Sequence, residues 1–308
     1  MRNIAAIFCL TIAVLLGGAG TSWSADFQKG LSAYKSGDFE TALREWGQLA
    51  EQGDAEAQTS LGHMYRRGRG VRRDIEAAAK WFKLAAEQGV ADAQYNLGQI
   101  YRRGRGAPQD YEAAAQWYRL AAEQGWADAQ YNLGQMYRQG LGVPQDYSAA
   151  VEWYELAADQ GVAAAQFDLA EMYANGEGVA PDYRDAVKWY RLAAEQGRAD
   201  AQYSMGEMYR RGLGVPKDFE AAAKWYQSAA EQRHTGAQYN LGWMYANGQG
   251  VKQDNLYAYM WFNFAESPGA NHPTSGDKDR IAELLSPDQI KAVQKLVRDC
   301  VKREFKRF

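Results

Sequence analysis

The 308-residue chain has only two cysteines and three histidines, and its formal net charge is −3. Cys9 lies in an N-terminal apolar stretch without the small residues of a lipoprotein cleavage site, and Cys300 lies near the other end. Once that stretch is removed no internal disulfide can form, so packing alone has to hold the fold. The histidines are His63, His234 and His272, and there is no H-E-x-x-H, G-x-S-x-G or G-x-x-x-x-G-K run. Zinc hydrolysis, serine acyl transfer and phosphate cradling therefore lack their usual residues, and neither metal nor cofactor is expected. The small net charge supplies no global field for nucleic acid. The apolar run from Ile4 to Leu16 falls short of the roughly 20 residues that cross a bilayer.

That run carries an address instead. Arg2 precedes it and small residues follow from Gly17, which is the layout of a secretory signal. Cleavage after Ser24 puts Ser22 and Ser24 at the two positions that must be small, whereas cleavage after Ala25 would put Trp23 at one of them. The expectation is a signal peptide over 1–24 and a periplasmic or secreted product with no transmembrane span after processing.

The rest of the chain is a repeated sentence. Its clearest copy runs from Val90 to Gly125, and a step of 36 residues carries Trp81 onto Trp117, Trp153, Trp189, Trp225 and Trp261. Such a period marks a helical solenoid, whose units bury their apolar faces only against their neighbours. Residues 25–53 form a divergent leading unit, 54–265 hold six copies in one continuous array, and 266–308 form a loop with C-terminal capping helices. Each copy divides into two helices, predicted over Ala91–Arg103 and Tyr111–Gln124 in the clearest one. Ala93, Leu97, Ile100 and Tyr101 line one face of the first; Ala114, Trp117, Tyr118 and Ala121 line one face of the second. Asp110 and its counterparts Asp74, Asp146, Asp182, Asp218 and Asp254 stand where they can cap the second helix, and Gly125 closes it. Gly98 has counterparts Gly62, Gly134, Gly206 and Gly242, but also Ala170. A small residue is therefore needed there for close helix approach, not for an unusual backbone angle. After the last copy Ser286, Pro287 and Gln289 spell a capping box, and the helix that follows sets Ile290, Val293, Val297 and Val301 against a basic side.

The runs ADAQYNLGQMY, G-x-G-V-x-x-D and A-x-x-W-Y-x-x-A-A-E-Q-G resemble the Sel-one-like repeat family over residues 54–265. The resemblance implies a tetratricopeptide-related, right-handed α-solenoid of antiparallel helix pairs that acts as an adaptor or ligand-binding scaffold, often in bacterial envelopes. Arg233 departs from the pattern by replacing the terminal glycine of the fifth copy. Some relatives have been described as β-lactam-binding or β-lactamase proteins, which gives Ser32-x-x-Lys35 and the following Lys35-Ser36-Gly37 a second reading. A serine β-lactamase needs those elements on separate parts of one site, and here they share Lys35, so a helix and turn in the leading unit is the reading adopted.

A binding surface needs variety between copies where a core needs sameness. The recurring tryptophans and Tyr65, Tyr101, Tyr137, Tyr173, Tyr209 and Tyr245 accordingly read as core. A variable stripe opposite the apolar face of the first helices reads as the partner surface: Tyr95, Asn96 and Gln99; Tyr131, Asn132 and Gln135; Tyr203; then Tyr239, Asn240 and Trp243. In helix-pair superhelices this face is concave. Trp243 also stands where the C-terminal helices would cover it. A basic edge of Arg66, Arg67, Arg69, Arg102, Arg103 and Arg105 gives way to Ala174, Asn175 and Glu177 in a later copy, and could meet an acidic protein, an anionic glycan or lipid headgroups. The whole reads as an exported, non-enzymatic scaffold for a protein or peptide partner. The alternatives are a β-lactam-binding or -hydrolysing enzyme and an envelope glycan assembly factor.

Overall fold

The structure, a computed structural model, describes residues 19–266 and 276–302. Most of the expected signal peptide and residues 267–275 of the expected loop lie outside them. The described residues are all helical, with sixteen α-helices and no strand, in two compact units divided between Gln145 and Asp146.

The first unit holds α1 (Ala19–Ser36), α2 (Phe39–Glu51), α3 (Ala55–Arg67), α4 (Ile75–Glu87), α5 (Ala91–Arg103), α6 (Tyr111–Glu123) and α7 (Ala127–Gln139), each packed on the next. The second holds α8 (Tyr147–Asp159), α9 (Ala163–Asn175), α10 (Tyr183–Glu195), α11 (Ala199–Arg211), α12 (Phe219–Glu231), α13 (Thr235–Asn247), α14 (Asn255–Ala265), α15 (Asp277–Ala282) and α16 (Pro287–Lys302). In it too successive helices pair, and α15 and α16 pack on α14. This is an α-solenoid of helix pairs with the 36-residue repeat. The helix α1 is longer than the leading unit predicts: it starts at Ala19 and runs through the expected cleavage point.

Helix starts follow from the aspartates. Asp110 accepts the Ala113 N–H at 2.9 Å, and Asp74, Asp146, Asp182, Asp218 and Asp254 do the same for their own helices. Each cap satisfies a backbone donor that the first helical turn leaves over. The glycine inside the first helix acts by absence of bulk: a Cβ on Gly98 would lie 2.7 Å from the Tyr118 ring. A loop glycine, Gly142, combines a φ of +69° with a backbone contact, since a Cβ there would meet the Tyr111 carbonyl oxygen at 2.1 Å. The turn of one repeat thus rests directly on the second helix of the repeat before it. At the divergent junction Arg233 keeps the left-handed conformation of the glycine it replaces, with φ 68°.

The core corrects the assignment of the tryptophans. The side chain that fills the space between paired helices is the residue after each one: Phe82, Tyr118, Tyr154, Tyr190, Tyr226 and Phe262 are buried, with Tyr118 at 0% exposure. The tryptophan itself lies at the seam between its own first helix and the preceding repeat. Trp81 packs on the cluster that joins Trp46 and Leu49 to Leu61 and Met64, Trp117 on the cluster that joins Phe82 to Leu97 and Ile100, and of the six only Trp261 is buried.

A second internal element is polar. Buried Gln94 donates to the Ala86 carbonyl at 3.2 Å and accepts from Gln124 at 2.7 Å. The same two bonds join Gln58 to Ala50 and Gln88, and Gln202 to Ala194 and Gln232. Each buried glutamine satisfies a carbonyl at the end of the preceding helix, and is itself held from the end of its own repeat.

The C-terminal helices α15 and α16 pack on α14, the last helix of the repeats. Ser286 and Gln289 form the reciprocal capping box, with the Ser286 N–H 2.8 Å from Gln289 Oε1 and the Gln289 N–H 3.2 Å from Ser286 Oγ. From α16, Val293 and Val297 pack on Met260, Trp261 and Phe264, while Ile290 joins Tyr259 and Phe262.

Candidate functional site

The variable stripe is only partly open. Asn96 and Asn132 are 3% and 6% exposed, so the structure removes them from the accessible surface proposed by spacing alone. Their amides turn back on their own helices, Asn96 to the Asp92 carbonyl at 2.7 Å and Asn132 to the Asp128 carbonyl at 2.8 Å. What remains accessible in the first unit is Tyr95, Gln99, Tyr131 and Gln135, all half-buried. They are held in pairs: Gln99 Nε2 donates to the Tyr95 hydroxyl at 2.6 Å, and Gln135 Nε2 to the Tyr131 hydroxyl at 2.7 Å. A glutamine fixed to a tyrosine one turn earlier presents both groups with little rotamer freedom left to lose.

In the second unit the stripe is more committed. Tyr239 donates its hydroxyl to Asp277 at 2.7 Å, and Trp243 packs beside it in the cluster with Ile281 and Val293. Both are therefore engaged with the C-terminal helices. Asn240 donates to Glu207 at 2.9 Å. Glu207 also accepts from Arg210 Nε at 3.1 Å and Nη2 at 2.7 Å, and from the Tyr226 hydroxyl. Burial pushes its carboxyl pKa up, but these donors outweigh burial and hold it below the ordinary carboxylate value. Tyr203 stays accessible, its ring stacked on His234 at 4.5 Å.

That stack reveals a position absent from the sequence-based stripe. In three copies the residue before the first helix lies on the aromatic of the preceding copy: Trp126 6.2 Å from Tyr95, Arg198 4.5 Å over Phe167, and His234 on Tyr203. Trp126 is 36% exposed. The signal was present, because Val90, Trp126, Val162, Arg198 and His234 include four residue types, while in the first four of these copies the flanking residues are always Gly and Ala.

The arginine edge is brought together in the first unit. Arg66, Arg67, Arg73, Arg103 and Arg105 line one groove of about 270 Å³ with Ile75, Asn96, Gln99 and Ile100. Arg69 stands apart, donating to the Tyr34 hydroxyl at 2.6 Å, and Arg102 does not line the groove. Arg66 is half-buried; burial, and then the neighbouring Arg67, lower its pKa from the usual guanidinium value. Its Nε is buried without a hydrogen-bond partner.

Ser32 and Lys35 are both exposed on the last turns of α1, and Ser36 donates to the Ala33 carbonyl at 2.9 Å. The two S-x-x-K and K-S-G elements thus lie in one helix end and its turn. Among the described residues no group of His, Cys, Asp and Glu is arranged to hold a metal, and no helix is long and apolar enough to cross a membrane.

The geometry agrees with what the chain is similar to. The Sel1 repeat matches residues 55–90, 91–126, 127–162, 163–197, 199–234 and 235–266. A crystal structure of a Sel1 repeat protein from Oxalobacter formigenes is 33% identical, with a TM-score of 0.68, covering 80% of this chain and 99% of that one. A second, c5321, a protective antigen present in uropathogenic Escherichia coli strains and displaying an SLR fold, is 27% identical with a TM-score of 0.53, covering 92% of this chain and 85% of that one. No curated protein matches the chain. Sel1 repeat proteins generally mediate protein–protein interaction and are generally non-enzymatic. With six matched repeats spanning most of its length, the chain belongs to the Sel1 repeat family.

Proposed function

We propose that the chain is an exported, non-enzymatic adaptor of the bacterial envelope that holds a protein or peptide partner on the first-helix face of its repeats. The observation that carries this reading is the pairing of Gln99 with Tyr95 and Gln135 with Tyr131: variable, accessible polar and aromatic groups fixed in place by a core that repeats unchanged. Aromatics so held bring contact area at low ordering cost, which favours their use in interfaces. Trp126 beside Tyr95 enlarges the same patch. Export rests on Arg2, the apolar run after it and the small residues at Ser22 and Ser24.

The test is photo-crosslinking in intact cells from Tyr131, Gln135 and Tyr203, with the exposed second-helix positions Lys83 and Lys224 as controls. Capture of one protein from the first three positions and not from the controls is the expected result. Capture only from the controls removes the first-helix face from the proposal. Mass spectrometry of the exported protein is expected to find Ala25 at the N-terminus, and an intact Met1 would refute processing.

A further inference from the structure

The repeats are six versions of one structure, so each shows what the others do at the same place. Three repeats beyond the arginine groove, Arg66, Arg67, Arg73 and Arg105 are replaced by Ala174, Asn175, Pro181 and Leu213, and Gln99 by Glu207. Four of the groove's five arginines are thus lost three repeats on, and there a carboxylate stands at the position of Gln99. Glu207 also shows how this surface takes a carboxylate: Arg210 clasps it through Nε and Nη2, and Tyr226 and Asn240 donate to it as well. Two parallel N–H bonds from one guanidinium form the strongest arrangement for a carboxylate.

The first unit has the donors without that acceptor. Tyr118, the counterpart of Tyr226, is buried with its hydroxyl unpartnered, and Arg66, which enters the groove from the repeat before and has Ala174 as its counterpart, has an unpartnered buried Nε. At the glutamate position stands neutral Gln99, whose Oε1 is also unpartnered. Asp92 acts on Arg66 through space, but its own oxygens are engaged by His63 at 2.5 Å and Asn96 at 2.7 Å. No carboxylate lines the groove, while Ile75 and Ile100 supply apolar wall for an aliphatic stem.

We propose that the groove of Arg66, Arg67, Arg73, Arg103 and Arg105 binds an acidic segment of the protein partner, whose Glu or Asp carboxylates meet the guanidinium groups beside Gln99. This rests on the adaptor reading above and names the chemistry of the partner. The groove's volume suits one or two side chains, and the chain's own example of an occupant is a glutamate; both favour a peptide over a polymeric glycan or a lipid surface.

The experiment is fluorescence anisotropy of a labelled hexaglutamate peptide titrated with the whole protein at low salt. The expected result is saturable binding that weakens about tenfold in R67Q/R103Q/R105Q, three exposed side chains whose small individual contributions add. The equal charge change K80Q/K83Q/K224Q, on exposed lysines outside the groove, is expected to leave binding within about twofold. Gln99→Glu supplies the groove wall with its own carboxylate, nearly isosteric with the amide it replaces, so it keeps the fold and weakens the peptide about fivefold. Circular dichroism confirms that each variant is folded.

No binding by hexaglutamate, equal loss in the arginine and lysine variants, or an unchanged Gln99→Glu protein overturns the proposal. So does arginine-dependent binding of phosphatidylglycerol vesicles, or displacement of the peptide by inorganic phosphate beyond that by NaCl at equal ionic strength. Crosslinking to a protein without hexaglutamate binding would remove the groove assignment alone. Hexaglutamate binding with no protein crosslinked would remove the adaptor reading instead.

Discussion

Replacing Gln202 with glutamate tests whether the buried glutamines hold the repeats together by donating a hydrogen bond or only by filling space. Gln202 is 7% exposed; its Nε2 lies 3.1 Å from the Ala194 carbonyl oxygen and its Oε1 accepts from Gln232 at 2.8 Å. Glutamate has the same shape. Ionised, it sets an oxygen against the Ala194 carbonyl, leaves that acceptor without its donor and buries a charge with only Gln232 to meet it. An orphaned buried group costs about 1–3 kcal/mol, and the charge raises the total to about 3–4 kcal/mol at neutral pH. Protonated, the carboxyl regains an O–H for Ala194 and still accepts from Gln232. Its folded-state pKa is therefore raised above the unfolded value of about 4.3. The sign follows: the variant approaches the wild type below the unfolded pKa, loses stability as pH rises through the folded pKa, and levels off above it. The measurement is urea unfolding followed by circular dichroism from acid to neutral pH, read as the difference between variant and wild type. Gln202→Leu, which removes both bonds without adding charge, should show a loss of about 2 kcal/mol independent of pH. A glutamate variant whose deficit does not vary with pH, or which has none, would refute the hydrogen-bond argument.

Other sites give smaller, differently signed effects. Gly98→Ala gains roughly 1 kcal/mol in helix propensity but forces a methyl to 2.7 Å from the enclosed Tyr118 ring, so a net loss of about 1 kcal/mol is expected in thermal or urea melts. Arg233→Gly relieves a left-handed non-glycine residue at φ 68°; a gain of about 0.5–1 kcal/mol is expected, and a lowered Tm would contradict it. His234 has its pKa lowered from 6.5 by burial against Tyr203, only partly offset by Asp200 at 3.7 Å, and its Nδ1 accepts the Ala237 N–H at 3.1 Å. A base with a depressed folded pKa stabilises above its unfolded value and loses that contribution as pH falls below about 6.5. His234→Asn, which keeps a helix cap, should flatten the fall in Tm over that range.

The period, the helix pairs and the aspartate caps were legible because each rests on a residue type that recurs with a local physical meaning. A tryptophan in every copy marks the step, and an aspartate before a helix needs no tertiary context to act as a cap. The role of Gln94 and Gln124 was not legible, although both recur, because a glutamine on a helix reads as solvent-facing until the carbonyl it serves is known to be buried. The misplacement of Trp117 and Tyr118 has a similar cause: adjacent aromatics on a helix differ by about 100° in direction, and a single helix does not say which one fills the space against its pair partner and which the seam with the preceding repeat. Asn96 and Asn132 were placed on the open face by spacing, which gives their direction but not the depth of the neighbouring helices. Tyr95 and Gln99 survive because they stand one turn apart at the accessible margin.

Taken position by position, the copies differ less in fold than in whether the chain completes its own polar contacts. At Glu207 it does: the carboxylate, guanidinium, phenol and amide all come from the chain, and the surface there is closed to an outside acid. At Gln99 the acceptor is withheld while Tyr118 and Arg66 keep unused donors. An unsatisfied buried donor destabilises the free protein and gains most from a ligand that completes it, so such a place binds more strongly than its area implies. Changing Glu207 to glutamine should therefore act opposite to Gln99→Glu. It strips Arg210 of its partner, lowers stability by about 1–3 kcal/mol, and turns a closed position toward the unfilled state that the first unit already holds.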